Sequence, residues 1–240
     1  MSSSKGNVIS VAEMLEVAPP EVLKYAITKV KPNRRIVFDP GLALLQLIDE
    51  FDDTTSPHRH ARAAELSAVT GSPPLGVPFR HLVSLVQIAG DDVELIVRIL
   101  NRTGYPVVNT RGLRERLAYA GKWLEKFAPE EVRFEVQQEL PTGVSSLSEL
   151  QRKALGLLAA RIEAEAAEEP EKGLTGEEIH SLIYKVKDEL GIDPKDVFAA
   201  IYQSILGKEH GPRAGFFLGS LPMDFVLRRF REAAGQPVRG

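Results

Sequence analysis

The opening run, MSSSKGNVIS, gathers three hydroxyls (Ser2, Ser3, Ser4), the ammonium of Lys5 and the permissive backbone of Gly6. Such a run can wrap phosphate oxygens: hydroxyls and backbone N–H groups donate hydrogen bonds while the lysine supplies charge. An unstructured serine-rich terminus has the same composition, and on residue chemistry alone that is the commoner case. A second run, residues 22–38, carries Lys24, Lys29, Lys31, Arg34 and Arg35 with no aspartate or glutamate among them. Such a stripe can neutralise the phosphates of a nucleic acid; a solvated helix end followed by a charged turn fits it equally well. A third group lies toward the end of the sequence, where Lys208, Arg213, Arg228, Arg229 and Arg231 stand against Glu209 and Asp224. Pro212 is placed to open a helix with Arg213 just inside it, aiming a guanidinium and free backbone N–H groups in one direction. Unpaired bases stack on aromatic or arginine planes, and Phe216, Phe217, Trp123 and Tyr119 are the nearby candidates. Adjacent helical residues point about 100° apart, so Phe216 and Phe217 are not expected to be core residues together. Trp123 is expected to pack inside.

Signatures of known catalysis are scarce. There is no GxSxG, HExxH or P-loop, and no GxGxxG between a strand and a helix. His58 and His60 are two residues apart beside Arg59 and Arg62, a spacing and charge that suit exposed histidines better than metal ligands. His81, His180 and His210 stand singly and are expected to be structural or solvent-facing. Glu163, Glu165, Glu168, Glu169 and Glu171 read as the solvated face of a helix, and no metal site is expected. With no cysteine, the sequence holds no disulfide, thiolate zinc site, iron–sulfur cluster or catalytic thiol. Thirty Lys+Arg against 33 Asp+Glu give a net charge of −3, so a uniformly basic binder is excluded while local basic faces are not. No apolar run approaches the roughly 18–20 residues of a membrane span, and the first residues lack the apolar stretch of a signal peptide. A soluble, cytoplasmic protein without membrane contact is the resulting expectation.

The elements that must position these residues are mostly helical. The 240 residues suit one large domain or two small ones. Ser10 and Glu13 form the spacing of a capping box before a helix bearing Val11, Met14 and Leu15. Pro20 suits the first turn of the next helix, whose apolar face is Val22, Leu23, Ala26, Ile27 and Val30. Residues 35–38 read as a strand and 42–51 as an apolar helix. The first 54 residues are therefore expected to form a small α+β unit. The breaker cluster at 54–57 is a domain boundary, so the division is 1–54 and 55–240, with a possible subdivision near 141–146. Helices are expected over 59–69, from Phe79, from Val93 with Asp91 as N-cap, and over 110–127 with Leu113, Leu117, Ala120 and Leu124 inward. Residues 131–140 alternate through Val132, Phe134 and Val136, as a strand would. Helices follow over 147–168 and 175–190, the latter opened by a Thr175–Glu178 capping box and closed by Gly191. Asp193-Pro194 opens another over 195–206, and 211–221 and 222–234 complete the chain.

MSSSKGN resembles the KMSKS loop of class I aminoacyl-tRNA synthetases, with Ser3 in place of the second lysine. VISVAEMLEVAPPEVLKYAI and RIVFDPGLALLQLIDEFD resemble the segment after this loop in class I lysyl-tRNA synthetases. The run from Gly207 through Gly211-Pro-Arg213 to Phe216-Phe217-Leu218 resembles the C-terminal helices of the same family. The likeness thus spans nearly the whole chain, and its segments favour lysine over the glutamate and arginine enzymes of the same class. It implies a mainly α fold: a small α+β stem-contact unit, then a helical anticodon-binding bundle. It further implies ATP with Mg2+ as cofactors and tRNA(Lys) as partner. Ser2, Ser3, Ser4 and Lys5 would face ATP, with Lys5 as the loop's catalytic cation. Lys24, Lys29, Lys31, Arg34, Arg35, Arg213, Phe216 and Arg228 would face tRNA. The family's loop begins with a lysine, whereas here Met1 comes first, and its Rossmann catalytic half with the HIGH motif has no counterpart in this sequence. The resemblance implies a lysine–tRNA ligase by family, with the isolated chain expected to be inactive and monomeric. A freestanding helical interaction module that does not touch RNA is the alternative.

Overall fold

In the computed structural model, residues 9–31, 33–34, 38–53, 61–67, 75–168 and 173–237 are described. Twelve α-helices occur among them: α1 (Val11–Val17), α2 (Pro20–Thr28), α3 (Leu42–Asp52), α4 (Ala61–Ser67), α5 (Phe79–Ala89), α6 (Val93–Arg102), α7 (Thr110–Lys126), α8 (Glu149–Glu168), α9 (Gly176–Leu190), α10 (Pro194–Leu206), α11 (Ala214–Ser220) and α12 (Met223–Ala233). A 3-10 turn, Thr142–Ser146, precedes α8. The mainly helical expectation holds, and no β-strand occurs among the described residues. The α+β character expected of the first 54 residues is therefore not seen. Three of the four residues expected as its strand, 35–37, lie outside the described residues, as does the boundary cluster at 54–57.

The chain divides into two compact units. The first comprises residues 1–86 and 109–129, and the second residues 87–108 and 130–240.

In the first unit the helices start where side chains can serve the backbone. Ser10 and Glu13 close a reciprocal capping box on α1, and Pro20 occupies the first turn of α2, where its missing N–H costs nothing. On α2 the buried side is Glu21, Val22, Tyr25 and Ala26, whereas Ile27 is 58% exposed, a rotation of the face read from the sequence. On α7 the inward positions are Leu113, Leu117, Ala120 and Trp123, with Leu124 only half-buried. Trp123 accordingly packs inside, as expected, and its indole Nε1 donates to the Pro40 carbonyl at 2.7 Å. A buried indole needs such an acceptor, because an unpaired donor removed from water costs about 1–3 kcal/mol.

In the second unit α8 to α12 enclose one apolar core in which Leu155, Ile179, Ile201, Phe217 and Phe230 are all buried. Its helix ends follow the sequence closely. Thr175 and Glu178 form the second capping box, Gly191 ends α9 with φ +61°, and Asp193 caps α10 with Pro194 in its first turn. One N-cap differs: Asp92, not Asp91, accepts from Leu95 N–H and opens α6.

Residues 131–140 form no strand, although Phe134 and Val136 do pack against the core. No strand lies beside them among the described residues; Gln137 N–H donates to the Ile205 carbonyl at 2.9 Å, and side chains serve much of the remaining backbone. Gln87 accepts from Phe134 N–H at 2.9 Å and donates to the Val132 carbonyl at 3.3 Å. Lys208 donates to the Arg133 carbonyl at 2.7 Å, and Arg229 to those of Gln137 and Gln138 at 3.0 Å each. Alternating hydrophobicity alone reports burial on one side, not the existence of a partner strand.

The tightest approach in the second unit is between α9 and α11. A Cβ built on Gly215 would lie 2.1 Å from the Gly176 carbonyl oxygen, and one on Gly176 would lie 2.5 Å from Phe216. Backbone cannot yield as a side chain can, so Gly215→Ala is expected to destabilise the protein by about 2 kcal/mol or more in urea unfolding. Gly121→Ala on α7 is its control. No atom lies within 4 Å of the added methyl there, so stability is expected to stay level or rise by up to about 1 kcal/mol. An unchanged midpoint for Gly215→Ala would contradict this packing.

Candidate nucleic-acid interface

The basic stripe falls on α2 and the turn that follows it. Lys24 is exposed on α2, and Lys29 is the C-cap residue. Arg34 N–H donates to the Lys31 carbonyl at 2.9 Å, so both exposed cations belong to one turn. Arg35 lies outside the described residues.

The five cations are not equivalent. Lys29 Nζ is 2.8 Å from Glu50 Oε2 on α3 and 5.2 Å from the centroid of the Tyr25 ring. The Tyr25 hydroxyl donates to Glu50 Oε1 at 2.7 Å, and burial together with that carboxylate pushes the phenol well above its ordinary pKa. Lys29 is thus tied to a carboxylate that no inspection of residues 22–38 would reveal, since Glu50 arrives from another helix. Lys24, Lys31 and Arg34 form no ion pair among the described residues.

Deeper in the first unit, Arg116 Nη2 donates to Asp52 Oδ1 at 2.7 Å, with both side chains under 10% exposed. Burial raises the Asp52 pKa to about 6 against the opposing pull of Arg116, and Asp49 raises it further. Asp49 itself accepts from Phe79 N–H and pairs with Arg80 at 3.2 Å. These acids serve the fold.

The C-terminal cations separate in the same way. Arg229 is buried, and its guanidinium donates to the carbonyls of Ser204, Gln137 and Gln138 at 3.0 Å each. Arg231 pairs with Glu163 at 2.5 Å. Arg228 stays exposed, with Glu232 only at 3.9 Å. Arg213 is also exposed but sits at the N-cap of α11, before the helix, not within its first turn. Its guanidinium lies 4.7 Å from the centroid of the Phe216 ring.

Phe216 and Phe217 are both core residues, 7% and 1% exposed, contrary to expectation. The 100° rule assumes that a helix has an outer side, but every residue of α11 is buried. Gly215 and Gly219 let it sink against its neighbours until no such side remains. The Phe216 ring, expected to stack on a base, lies instead 5.6 Å from the Tyr105 ring and beneath Arg213. Tyr119 is half-buried. Of the histidines, 58 and 60 lie outside the described residues. Burial lowers the His81 pKa to about 4, and His210 is exposed.

Ser2, Ser3, Ser4 and Lys5 lie outside the described residues. Among the described ones, no group of three or more His, Asp or Glu side chains is placed to hold a metal ion, and no helix is long and apolar enough to cross a membrane.

Comparison with known proteins relates the chain to lysine–tRNA ligases. The family model described as tRNA synthetases class I (K) matches residues 1–70. The chain is 43% identical to the lysine–tRNA ligase of Archaeoglobus fulgidus, over 97% of its own length and 45% of that protein. It is 39% identical to lysine–tRNA ligase 1 of Methanosarcina acetivorans, over 98% of its length and 48% of that protein. With the lysine–tRNA ligase of Thermoplasma volcanium the identity is 33%, over 98% and 46%. The family model and these relatives support a likeness to the C-terminal portion of class I lysyl-tRNA synthetases. It spans about half the length of the curated relatives it matches.

The partition of arginines has a direct consequence for stability. Arg229→Met is expected to cost about 3 kcal/mol or more, because three carbonyls lose their donor inside the protein. Arg228→Met, one residue away at the surface, is expected to change stability by less than about 0.5 kcal/mol. Urea unfolding of the two variants checks this, and equal losses would contradict the partition.

Proposed function

We propose that this chain is the tRNA-binding portion of a lysine–tRNA ligase, an enzyme that attaches lysine to tRNA(Lys) with ATP and Mg2+ in the cytoplasm. The observation that carries the reading is the set of exposed cations left without carboxylate partners on α2 and its following turn, Lys24, Lys31 and Arg34. In a protein of net charge −3, such a group attracts a polyanion locally despite the overall negative charge.

Lys24, Lys31 and Arg34, with Arg35 beside them in sequence, hold the acceptor-side stem through its phosphates. Duplex RNA hides its base edges in a deep, narrow groove, so backbone and 2′-hydroxyl contacts are the natural grip for such side chains. Lys29 adds positive potential but stays tethered to Glu50. Arg213 and Arg228 are exposed cations of the second unit and serve the anticodon side. Phe216 supports Arg213 from beneath, holding a guanidinium plane at the surface. Ser2, Ser3, Ser4 and Lys5 would face the triphosphate in the whole enzyme, where ATP activates the lysine carboxylate and magnesium offsets phosphate charge.

Each phosphate neutralised by a cation releases condensed counterions, so binding weakens as salt rises with a slope of about −0.7 to −0.9 per contact. The wild-type chain is expected to bind tRNA with a clear salt dependence. Lys31→Ala combined with Arg34→Ala should lower affinity at low salt and flatten the slope by roughly 1.5. Filter binding from low to moderate salt measures both quantities, and an unchanged slope removes these residues from the RNA contact.

A further inference from the structure

Three rings of the second unit meet where its core reaches the surface, Phe198 packing against that core. His180 and Tyr184, one turn apart on α9, have centroids 5.0 Å apart. Phe198 on α10 lies 6.2 Å from His180 with the planes only 23° apart, and 6.1 Å from Tyr184 nearly edge-on. Each ring thus touches the other two. Tyr184 is 41% exposed, and His180 and Phe198 are half-buried. The fully buried aromatics of this unit are Phe217 and Phe230, while Phe198 packs against the core's edge and Tyr184 stays outside it.

From these contacts we propose that His180, Tyr184 and Phe198 form a stacking platform for an unpaired nucleobase of RNA. The inference rests on the reading that the chain binds tRNA, and it supplies the base-stacking surface that the buried Phe216 does not.

Chemistry separates this patch from a docking groove for an apolar protein segment. Its rings carry a phenol and an imidazole, so the patch offers flat apolar faces with polar rims. A nucleobase presents the same combination, and stacking on aromatic rings tolerates any base because each has a π-face. Cations flank the rings as the sugar–phosphate backbone of a stacked nucleotide requires. Lys187 Nζ lies 5.9 Å from the centroid of Tyr184, held there by Asp188 at 2.5 Å. Arg213 is near enough to His180 to help burial lower its pKa, while Glu177 on the preceding turn opposes that effect. The imidazole is thereby held toward its neutral form, which stacks without repelling the neighbouring guanidinium. His180 Nδ1 is buried and accepts no hydrogen bond, so packing alone sets the orientation of that ring.

The test uses the full 240-residue chain and a short unstructured RNA carrying 2-aminopurine, whose fluorescence is quenched by stacking. Wild type is expected to bind and quench the probe at low salt. Tyr184→Ala should weaken binding about tenfold and remove most of the quenching, with the thermal midpoint little changed because the side chain is exposed. Tyr184→Trp, which restores a larger ring, should recover both. Equal quenching in wild type and Tyr184→Ala, no quenching in wild type, or a Trp variant as weak as the Ala variant would overturn the platform; a protein segment would then be the better occupant. The two readings fail separately. Salt-dependent tRNA binding unaffected by Tyr184→Ala removes the platform alone, whereas a chain that binds no tRNA removes the tRNA reading whatever the probe shows.

Discussion

A cation taken out of water must be given acceptors, and this requirement divides the basic residues of the chain into two populations. Arg229, Arg152, Arg102 and Arg116 are bound to acceptors within the protein, Arg102 while staying partly exposed. The first three donate to backbone carbonyls across the second unit, at Ser204, Ala233 and Gly219 among others, and Arg116 to the carboxylate of Asp52. Each joins elements far apart in sequence, and removing the guanidinium would leave buried acceptors unserved. Among the cations that remain exposed and without a carboxylate are Lys24, Lys31 and Arg34 in the first unit, close together in sequence, and Arg213 in the second. The internal demand of the fold thus selects which positive groups are available to a polyanion. Net charge alone does not report this.

The same economy of space shapes the second unit. Glycines at 176 and 215 let α9 and α11 approach until side chains meet backbone, and α11 becomes wholly buried. That burial takes Phe216 and Phe217 into the core. The partly exposed aromatic cluster lies instead between α9 and α10, where His180, Tyr184 and Phe198 meet. Rings inside and rings outside this unit are therefore consequences of one packing decision.

Local signals were read well from the residues. Both capping boxes, the prolines opening α2 and α10, and the glycine ending α9 satisfy backbone groups within a few residues of themselves, so their effect is visible in a short window. Features that depend on distant partners were not. Residues 131–140 alternate like a strand, but no strand lies beside them among the described residues, and Gln87, Lys208 and Arg229 serve their backbone. Lys29 looked as free as Lys31 until α3 brought Glu50 to it. His180 and Tyr184 have visible helical spacing, yet only α10 supplies the third ring. The family likeness was legible because it resides in contiguous segments such as VISVAEMLEVAPPEVLKYAI.

The division of cations into internal and available ones is tested most directly by amine acylation of the chain with and without bound tRNA, read by mass spectrometry. Lys24 and Lys31 should be reactive alone and protected by tRNA, with protection fading as salt rises. Lys29, held by Glu50, should react slowly in both states. Equal reactivity of Lys24 and Lys31 with and without tRNA, under conditions where the RNA is bound, would contradict the account.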